Sequence, residues 1–291
     1  MSDTTSLYSN NQGPEQQSRI RIPHLQRMKA LGQKWAMLTA YDMYAASIFE
    51  EAGIPVLLVG DSASNNVFGH ESTLPVTVDE LIPLVRAVSR TTRRPLVIAD
   101  LPFGSYQASP EQCFHTAVRF MKEAGAHAVK IEGGVEMLPQ VEKLAGSGIP
   151  VMAHIGFTPQ AEHQLGGYRV QGRGHDAQRL IESARAFEAA GAFALLIEMV
   201  PDEVATQISA AVSIPTVGIG AGVGCDAQVL VWQDMAGLRT GHLPRFVKQY
   251  ADLRGVLLGA ARNFIDDVQM SKFPGPEHSF PLENAQEKNH R

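Results

Sequence analysis

A phrase that recurs along the chain constrains the fold more than any single residue does. Ala52-Gly53-Ile54-Pro55-Val56-Leu57-Leu58-Val59-Gly60-Asp61 is echoed by Ser147-Gly148-Ile149-Pro150-Val151-Met152-Ala153-His154. It returns as Val212-Ser213-Ile214-Pro215-Thr216-Val217-Gly218-Ile219-Gly220. A sister phrase, Ala-Gly-Ala followed by apolar residues and a glutamate, runs from Ala124 to Glu132 and from Ala190 to Glu198. Each reads as a helix stop, a short connection and a buried strand. Proline falls only at the strand start, where its missing N–H is tolerated. The strands are near-continuous Val, Ile, Leu and Ala, the pattern of parallel strands covered on both faces.

The segments between these phrases carry helical spacing. Leu81, Ile82, Val85 and Val88 mark one apolar face, which predicts a helix over 78–90. Similar patterns predict helices over 110–123, 135–145, 177–189 and 202–211, and a last one with an apolar face over 246–268. Strands are expected at 36–40, 56–60, 96–99, 128–131, 151–154, 195–197, 216–219 and 229–232. At 291 residues the chain is long enough for two domains, but an α/β barrel reaches about 250 residues as one. Eight alternating strands point to a single (β/α)8 barrel over residues 21–270, with a flexible polar arm at 1–20 and a polar tail at 271–291. A doubly wound open sheet is the competitor. It would carry a glycine-rich turn after its first strand, where this chain has Thr39-Ala40-Tyr41-Asp42.

Composition excludes several classes. A net charge of −5 speaks against a dedicated nucleic-acid binder. Cys113 and Cys225 are distant in sequence, which excludes a disulfide scaffold and a cysteine-rich zinc site and fits a reducing compartment. The N-terminus has no apolar core of a secretory signal, and no apolar run is long enough to span a bilayer. A cytoplasmic location is expected.

Chemistry gathers where the apolar strands end: Asp61 and Ser62, Asp100, Lys130 and Glu132, His154, and Glu198. In a parallel barrel these ends meet on one face. Lys130 and Glu132 are two apart, so they project to the same side. Asp61 and Asp100 together suit a hard divalent cation such as Mg²⁺, which takes one or two carboxylates and keeps waters; the alternative for Asp61 is a turn residue binding its own backbone. Glu198, behind Leu195-Leu196-Ile197, suits a general base, or it pairs with Lys130. Lys130 serves either that pair or a substrate carboxylate. His154 either donates to substrate or is a satisfied core histidine. Gly218-Ile219-Gly220-Ala221-Gly222 offers backbone amides to an anion but lacks a nucleotide motif. The loop from Gly166 to Gly174 is long and glycine-rich, as a lid or binding loop would be.

In order along the chain, Leu38-Thr39-Ala40-Tyr41-Asp42, Leu58-Val59-Gly60-Asp61-Ser62, Ala99-Asp100-Leu101-Pro102-Phe103, Val129-Lys130-Ile131-Glu132-Gly133-Gly134, the 166–174 loop and Val217-Gly218-Ile219-Gly220-Ala221-Gly222 closely resemble the ketopantoate hydroxymethyltransferase family. The likeness runs from about Arg21 to Phe280. It implies a barrel of the phosphoenolpyruvate/pyruvate type and a homo-oligomer, a decamer, without nucleic-acid or membrane partners. It also implies hydroxymethyl transfer from 5,10-methylenetetrahydrofolate to 3-methyl-2-oxobutanoate, giving 2-dehydropantoate for pantothenate synthesis. Asp61 and Asp100 match the family's Mg²⁺ ligands, and Glu132 a residue linked to the metal's water shell. Ser62 and Lys130 match its keto-acid contacts, together with the two aspartates. His154 matches an active-site histidine and Glu198 the catalytic acid/base. Both substrates are anions, so the Arg169 and Arg173 loop is expected to help Mg²⁺ and Lys130 balance them. A related Mg²⁺-dependent oxo-acid lyase or mutase is one alternative, but its relatives carry a Lys-Lys-Cys-Gly type loop where this chain has Gly156-Phe157-Thr158-Pro159. A non-catalytic binding barrel is the other.

Overall fold

The computed structural model describes residues 18–281; the rest of the expected arm, residues 1–17, and the end of the tail, 282–291, lie outside it. Eight parallel strands close into a barrel in simple sequence order: β1 Trp35–Thr39, β2 Val56–Val59, β3 Leu96–Asp100, β4 Ala128–Glu132, β5 Val151–Gly156, β6 Ala194–Glu198, β7 Thr216–Ile219 and β8 Ala227–Leu230. The helices are α1 Ile22–Ala30, α2 Met43–Glu51, α3 Ala63–Asn66, α4 Val78–Thr91, α5 Pro110–Glu123 and α6 Leu138–Gly146. They continue with α7 Glu162–Leu165, α8 Asp176–Ala189, α9 Asp202–Ala211, α10 Trp232–Met235 and α11 Leu253–Gln269. The described residues form two compact units, divided between Trp232 and Gln233; the first holds the barrel.

The recurring phrase is a structural device. After α2 the N–H of Ile54 donates to the Phe49 carbonyl at 2.9 Å, and after α6 Ile149 does the same to Leu144 at 2.9 Å. This bond closes a helix end only if the chain turns through a left-handed residue. Gly53 and Gly148 supply it, with φ of +86° and +79°. Each following proline then serves the neighbouring strand through its carbonyl: Pro55 accepts from Leu96, Pro150 from Val129 and Pro215 from Leu195. The third repeat has Ser213 in place of that glycine, and there Glu188 Oε1 accepts from the Ser213 N–H at 2.7 Å.

Alternation sets what the barrel contains. Trp35, Met37, Val56, Leu58, Leu96, Ile98, Ala128, Met152, Ala194, Leu196, Val217, Ala227 and Val229 form one interior cluster, with Leu25 of α1 packed in it. Continuing that parity toward the strand C-termini brings Asp100, Lys130, Glu132, His154 and Glu198 into the barrel mouth above this apolar floor. The opposite parity, Leu57, Val97, Val129, Ala153 and Leu195, is also buried, as covered parallel strands require. Ala36 and Gln228, paired across β1 and β8, are exceptions and are exposed.

Three expected elements move: the helix expected over 135–145 opens with a 3-10 turn, Val135–Met137, and is α-helical only from Leu138. The eighth strand was expected at 229–232 and lies at Ala227–Leu230, because pairing with β1 sets its register from Trp35 opposite Ala227; Trp232 already begins α10. The last helix was expected from 246 and begins at Leu253, where Asp252 accepts from the Gly255 N–H at 2.9 Å. Its apolar face, including Val256, Phe264 and Ile265, is exposed. Contacts also begin within the expected arm: Arg19 donates to the Pro95 and Thr92 carbonyls, both at 3.0 Å.

Candidate active site

Five strands deliver one cluster. Gly60 continues β2 with no side chain, which the site requires: a Cβ there would stand 2.7 Å from Ser62 Oγ and 3.1 Å from Asp100 Oδ2. The next residue, Asp61, donates its N–H to Asp100 Oδ2 at 3.0 Å. Lys130 Nζ lies 2.6 Å from Asp100 Oδ1 and 3.1 Å from Glu132 Oε1. Glu132 Oε1 also meets His154 Nδ1 at 3.2 Å, and His154 Nε2 reaches Glu198 Oε2 at 3.3 Å. Asp61, Asp100, Lys130, Glu132 and His154 are all buried, each at most 4% exposed. Glu198 alone opens outward, its side chain 13% exposed. The residues named from sequence therefore stand together, and Lys130 meets Glu132 and Asp100 rather than Glu198.

Glu198 owes its position to two backbone features. Gly156 on the neighbouring strand has φ of +92°, and a Cβ there would sit 2.4 Å from the Glu198 carbonyl. That close approach lets the Phe157 N–H bond this carbonyl at 2.8 Å. Beyond Glu198 the chain turns through Met199 at φ +48°, a left-handed conformation that costs a non-glycine residue energy. Met199 is held by its N–H to the Ile219 carbonyl and by its carbonyl to the Gln171 N–H, each at 2.9 Å. The 166–174 loop is thus anchored beside Glu198. Tyr168 stacks on Phe157 with centroids 4.7 Å apart, and Arg169 and Arg173 are exposed.

Electrostatics are unbalanced. Burial raises the Asp61 carboxyl well above its ordinary value, and Asp100 and Glu132 raise it further. Burial also lifts Asp100, although Lys130 opposes it. Burial works against the charge on Lys130, but Asp100, Glu132 and Asp61 outweigh it and raise its pKa. Burial opposes ionisation of Glu132 too, yet Lys130 and His154 hold it down at about 2. Burial and Lys130 depress His154; Glu132 and Glu198 prevail and lift it to about 9. His154 is therefore an imidazolium at neutral pH. Three buried carboxyl groups share one ammonium and one imidazolium, and the upward displacement of Asp61 and Asp100 shows that the cations present do not support ionisation of all three.

That excess fits a divalent cation. Asp100 Oδ1 has one partner among the described residues, Lys130 Nζ at 2.6 Å. The available donors are hard carboxylate oxygens, as Mg²⁺ prefers. Among the described residues no three His, Cys, Asp or Glu side chains are arranged to hold a metal by themselves, and Mg²⁺ needs only one or two, with water and substrate completing its shell. Both Glu132 oxygens are engaged, Oε1 by Lys130 and His154 and Oε2 by the Gln160 N–H at 3.0 Å.

Two side chains of the site carry little signal in the sequence. Tyr41 OH lies 2.7 Å from Ser62 Oγ and is 3% exposed. Its signal is its place just past the end of β1. Gln160 donates to Asp61 Oδ2 at 2.9 Å, and only its neighbours in space reveal it. The Gly218–Gly222 segment differs from the expected anion seat. The Asp202 carboxylate packs against Gly222, where a Cβ would meet Oδ1 at 2.0 Å, and Gln228 Nε2 donates to the Gly222 carbonyl at 2.8 Å.

Comparison with known proteins decides the family. The family model described as ketopantoate hydroxymethyltransferase matches residues 19–276. The chain belongs to the ketopantoate hydroxymethyltransferase family. It is an enzyme of the hydroxymethyltransferase class. Among family members, a 3-methyl-2-oxobutanoate hydroxymethyltransferase of Nocardioides sp. (strain ATCC BAA-499 / JS614) is 71% identical over 262 residues, covering 90% of this chain and 89% of the relative. That of Mycobacterium leprae (strain TN) is 59% identical, covering 91% and 93%. Solved structures extend the fold beyond the family. A phosphonopyruvate hydrolase in complex with oxalate and Mg²⁺ superposes with a TM-score of 0.59 at 15% identity, covering 88% of this chain and 92% of that one. A phosphoenolpyruvate phosphomutase from Streptomyces platensis subsp. rosaceus gives 0.57 at 17%, covering 90% and 92%. The likeness is one of fold, the closed eight-stranded barrel. No helix among the described residues is long and apolar enough to cross a membrane.

Proposed function

We propose that the chain transfers a hydroxymethyl group from 5,10-methylenetetrahydrofolate to 3-methyl-2-oxobutanoate, giving 2-dehydropantoate for pantothenate synthesis. The observation that carries this reading is the buried excess of carboxylate beside Lys130, with a single more open carboxylate, Glu198, at its edge. Asp61 and Asp100 would hold Mg²⁺, and Glu132 would act behind them through water while orienting Lys130 and His154. When bound, Mg²⁺ supplies Lewis-acid stabilisation of negative charge gathering on the ketone oxygen.

The protein's own residues do the rest. Lys130 and the Ser62–Tyr41 pair bind and orient the keto acid. Glu198 removes the C3 proton, within the range of general-base catalysis. The His154 imidazolium, 3.3 Å from Glu198 Oε2, steadies the carboxylate before it takes the proton. Water cleaves the two carbon–nitrogen bonds of the folate's methylene group, giving the one-carbon unit as formaldehyde and leaving N–H groups on tetrahydrofolate; the carbanion adds to that carbon, and the alkoxide formed takes the proton back from Glu198 to complete the hydroxymethyl group. Exposed Arg169 and Arg173 suit the folate's carboxylates. Holding both substrates in register replaces a bimolecular encounter.

The exposed apolar face of α11 and the exposed Ala36–Gln228 pair each support a homo-oligomer, with a decamer as the expected form and the cytoplasm as its location. Incubating the protein with keto acid, methylenetetrahydrofolate and Mg²⁺ should release tetrahydrofolate only when all three are present; no release would refute the activity. Calorimetry should show Mg²⁺ binding abolished in Asp61→Asn/Asp100→Asn, and unchanged affinity would remove both as ligands. Light scattering should give a multiple of the chain mass, and a monomer would contradict the assembly.

A further inference from the structure

Gln160 is the best-connected buried side chain that the reaction scheme leaves unused. It stands in the short turn after β5 and is 7% exposed. Its amide is fully committed. Nε2 donates to Asp61 Oδ2 at 2.9 Å and to the Leu101 carbonyl at 3.0 Å. Oε1 accepts from Gln107 Nε2 at 3.1 Å, and it lies 2.7 Å from Tyr106 OH, whose one proton it shares with the Glu132 carbonyl at 2.9 Å. Gln107 is held in turn, its Oε1 accepting from the Gly104 N–H at 2.9 Å. The main-chain N–H of Gln160 meets Glu132 Oε2. One residue thus holds two of the three buried carboxylates by separate donors. Rotating the amide would place its NH₂ against the Gln107 donor and its oxygen against the Asp61 carboxylate and the Leu101 carbonyl, so its orientation is settled by its partners.

We propose that Gln160 is a positioning residue that restricts Asp61 to ligation through one oxygen, and so sets the site's preference for a small octahedral cation over a larger one. The proposal rests on the reading that Asp61 and Asp100 hold the cation. With Oδ2 occupied by the Gln160 amide, Asp61 has one oxygen to offer. Mg²⁺ binds carboxylates in that manner and retains water; Ca²⁺ accepts more oxygens at longer distance and readily takes a carboxylate by both. Two-oxygen ligation would pull Oδ2 from Gln160 and leave a buried donor unpaired, which is unfavourable. Tyr106 and Gln107, on the loop after β3, brace the amide against yielding.

The test measures binding without turnover. Mg²⁺ and Ca²⁺ are titrated separately by calorimetry into the full-length protein saturated with the keto acid, with no folate present. The wild-type protein should prefer Mg²⁺. Gln160→Met removes the donor at similar volume and should reduce the Mg²⁺-to-Ca²⁺ affinity ratio by about tenfold or more. A merely structural role would weaken both metals alike, so a ratio unchanged within about twofold in a folded variant overturns the proposal. If Gln160→Met fails to fold, Gln160→Glu serves. It keeps an acceptor for Tyr106 and sets a carboxylate oxygen against Asp61, which should move the ratio toward Ca²⁺; an unchanged ratio overturns the proposal equally. Wild-type protein that binds neither cation would instead refute the metal reading itself.

Discussion

The barrel carries a lysine–carboxylate cluster at each end, and the two are built differently. At the N-terminal end, Lys29 Nζ meets Asp226 Oδ2 at 2.7 Å and the Ser209 carbonyl at 2.9 Å. The same Asp226 oxygen accepts from the Thr216 N–H and hydroxyl, each at 2.8 Å. One carboxylate faces one ammonium, and neutral donors complete the set. At the C-terminal end, Lys130 sits among Asp61, Asp100 and Glu132, with a charged His154 beyond. The first arrangement closes on itself and ties α1 and α9 to β7 and β8. The second has carboxylate to spare. A polar cluster reads as structural when its charges are matched internally, and as a binding site when they match only after a ligand arrives.

Replacing each lysine in turn should separate the two. Lys130→Met leaves buried carboxylates without their main partner and should destabilise the protein by about 3–5 kcal/mol. Added Mg²⁺ should restore part of that, because a ligand that binds only the folded state stabilises it. Lys29→Met, at a side chain 13% exposed, should cost about 1–3 kcal/mol, a deficit against the wild type that Mg²⁺ leaves unchanged because it stabilises both proteins alike. Denaturant melts with and without Mg²⁺ check both. Recovery in both variants, or in neither, breaks the distinction.

A smaller effect belongs to His127, near the N-terminal end. Its Nδ1 accepts from the Val97 N–H at 2.9 Å, which requires a neutral ring. Burial, with Arg19 and Arg21 beside it, lowers its pKa from 6.5 to about 4. Between those values the unfolded chain binds a proton that the folded protein refuses. His127 therefore contributes stability that is complete above about 6.5 and lost as pH falls toward 4. His127→Gln should flatten the decline in stability between pH 7 and pH 4.5. An equal slope in both proteins would show that His127 titrates alike in the folded and unfolded states. The C-terminal cluster should respond differently to acid, since its groups are displaced in opposite directions.

Much of this architecture is legible in the amino-acid sequence. Gly-Ile-Pro punctuation locates strand starts because the left-handed turn that ends the helix and the missing N–H of proline are local demands. Strand parity carries Lys130 and Glu132 to one side, and apolar runs ending in Asp100, His154 and Glu198 place them at one mouth. What local pattern does not show depends on partners distant in sequence. The register of β8 follows β1, across the whole chain. Gln160 matters through Asp61, 99 residues away. Tyr41 matters through Ser62 on the next strand. The packing of Asp202 against Gly222 is likewise invisible in the sequence, the two being 20 residues apart.

The central claim is that Glu198 takes the C3 proton while the buried cluster holds the keto acid. The direct measurement follows exchange of that proton in deuterated water by NMR, with Mg²⁺ and 3-methyl-2-oxobutanoate but no folate, in the wild-type protein and Glu198→Gln. The account predicts exchange in the wild type, and in Glu198→Gln a rate lower by about 10²–10⁴-fold with keto-acid affinity retained. Exchange at the wild-type rate in Glu198→Gln would contradict it.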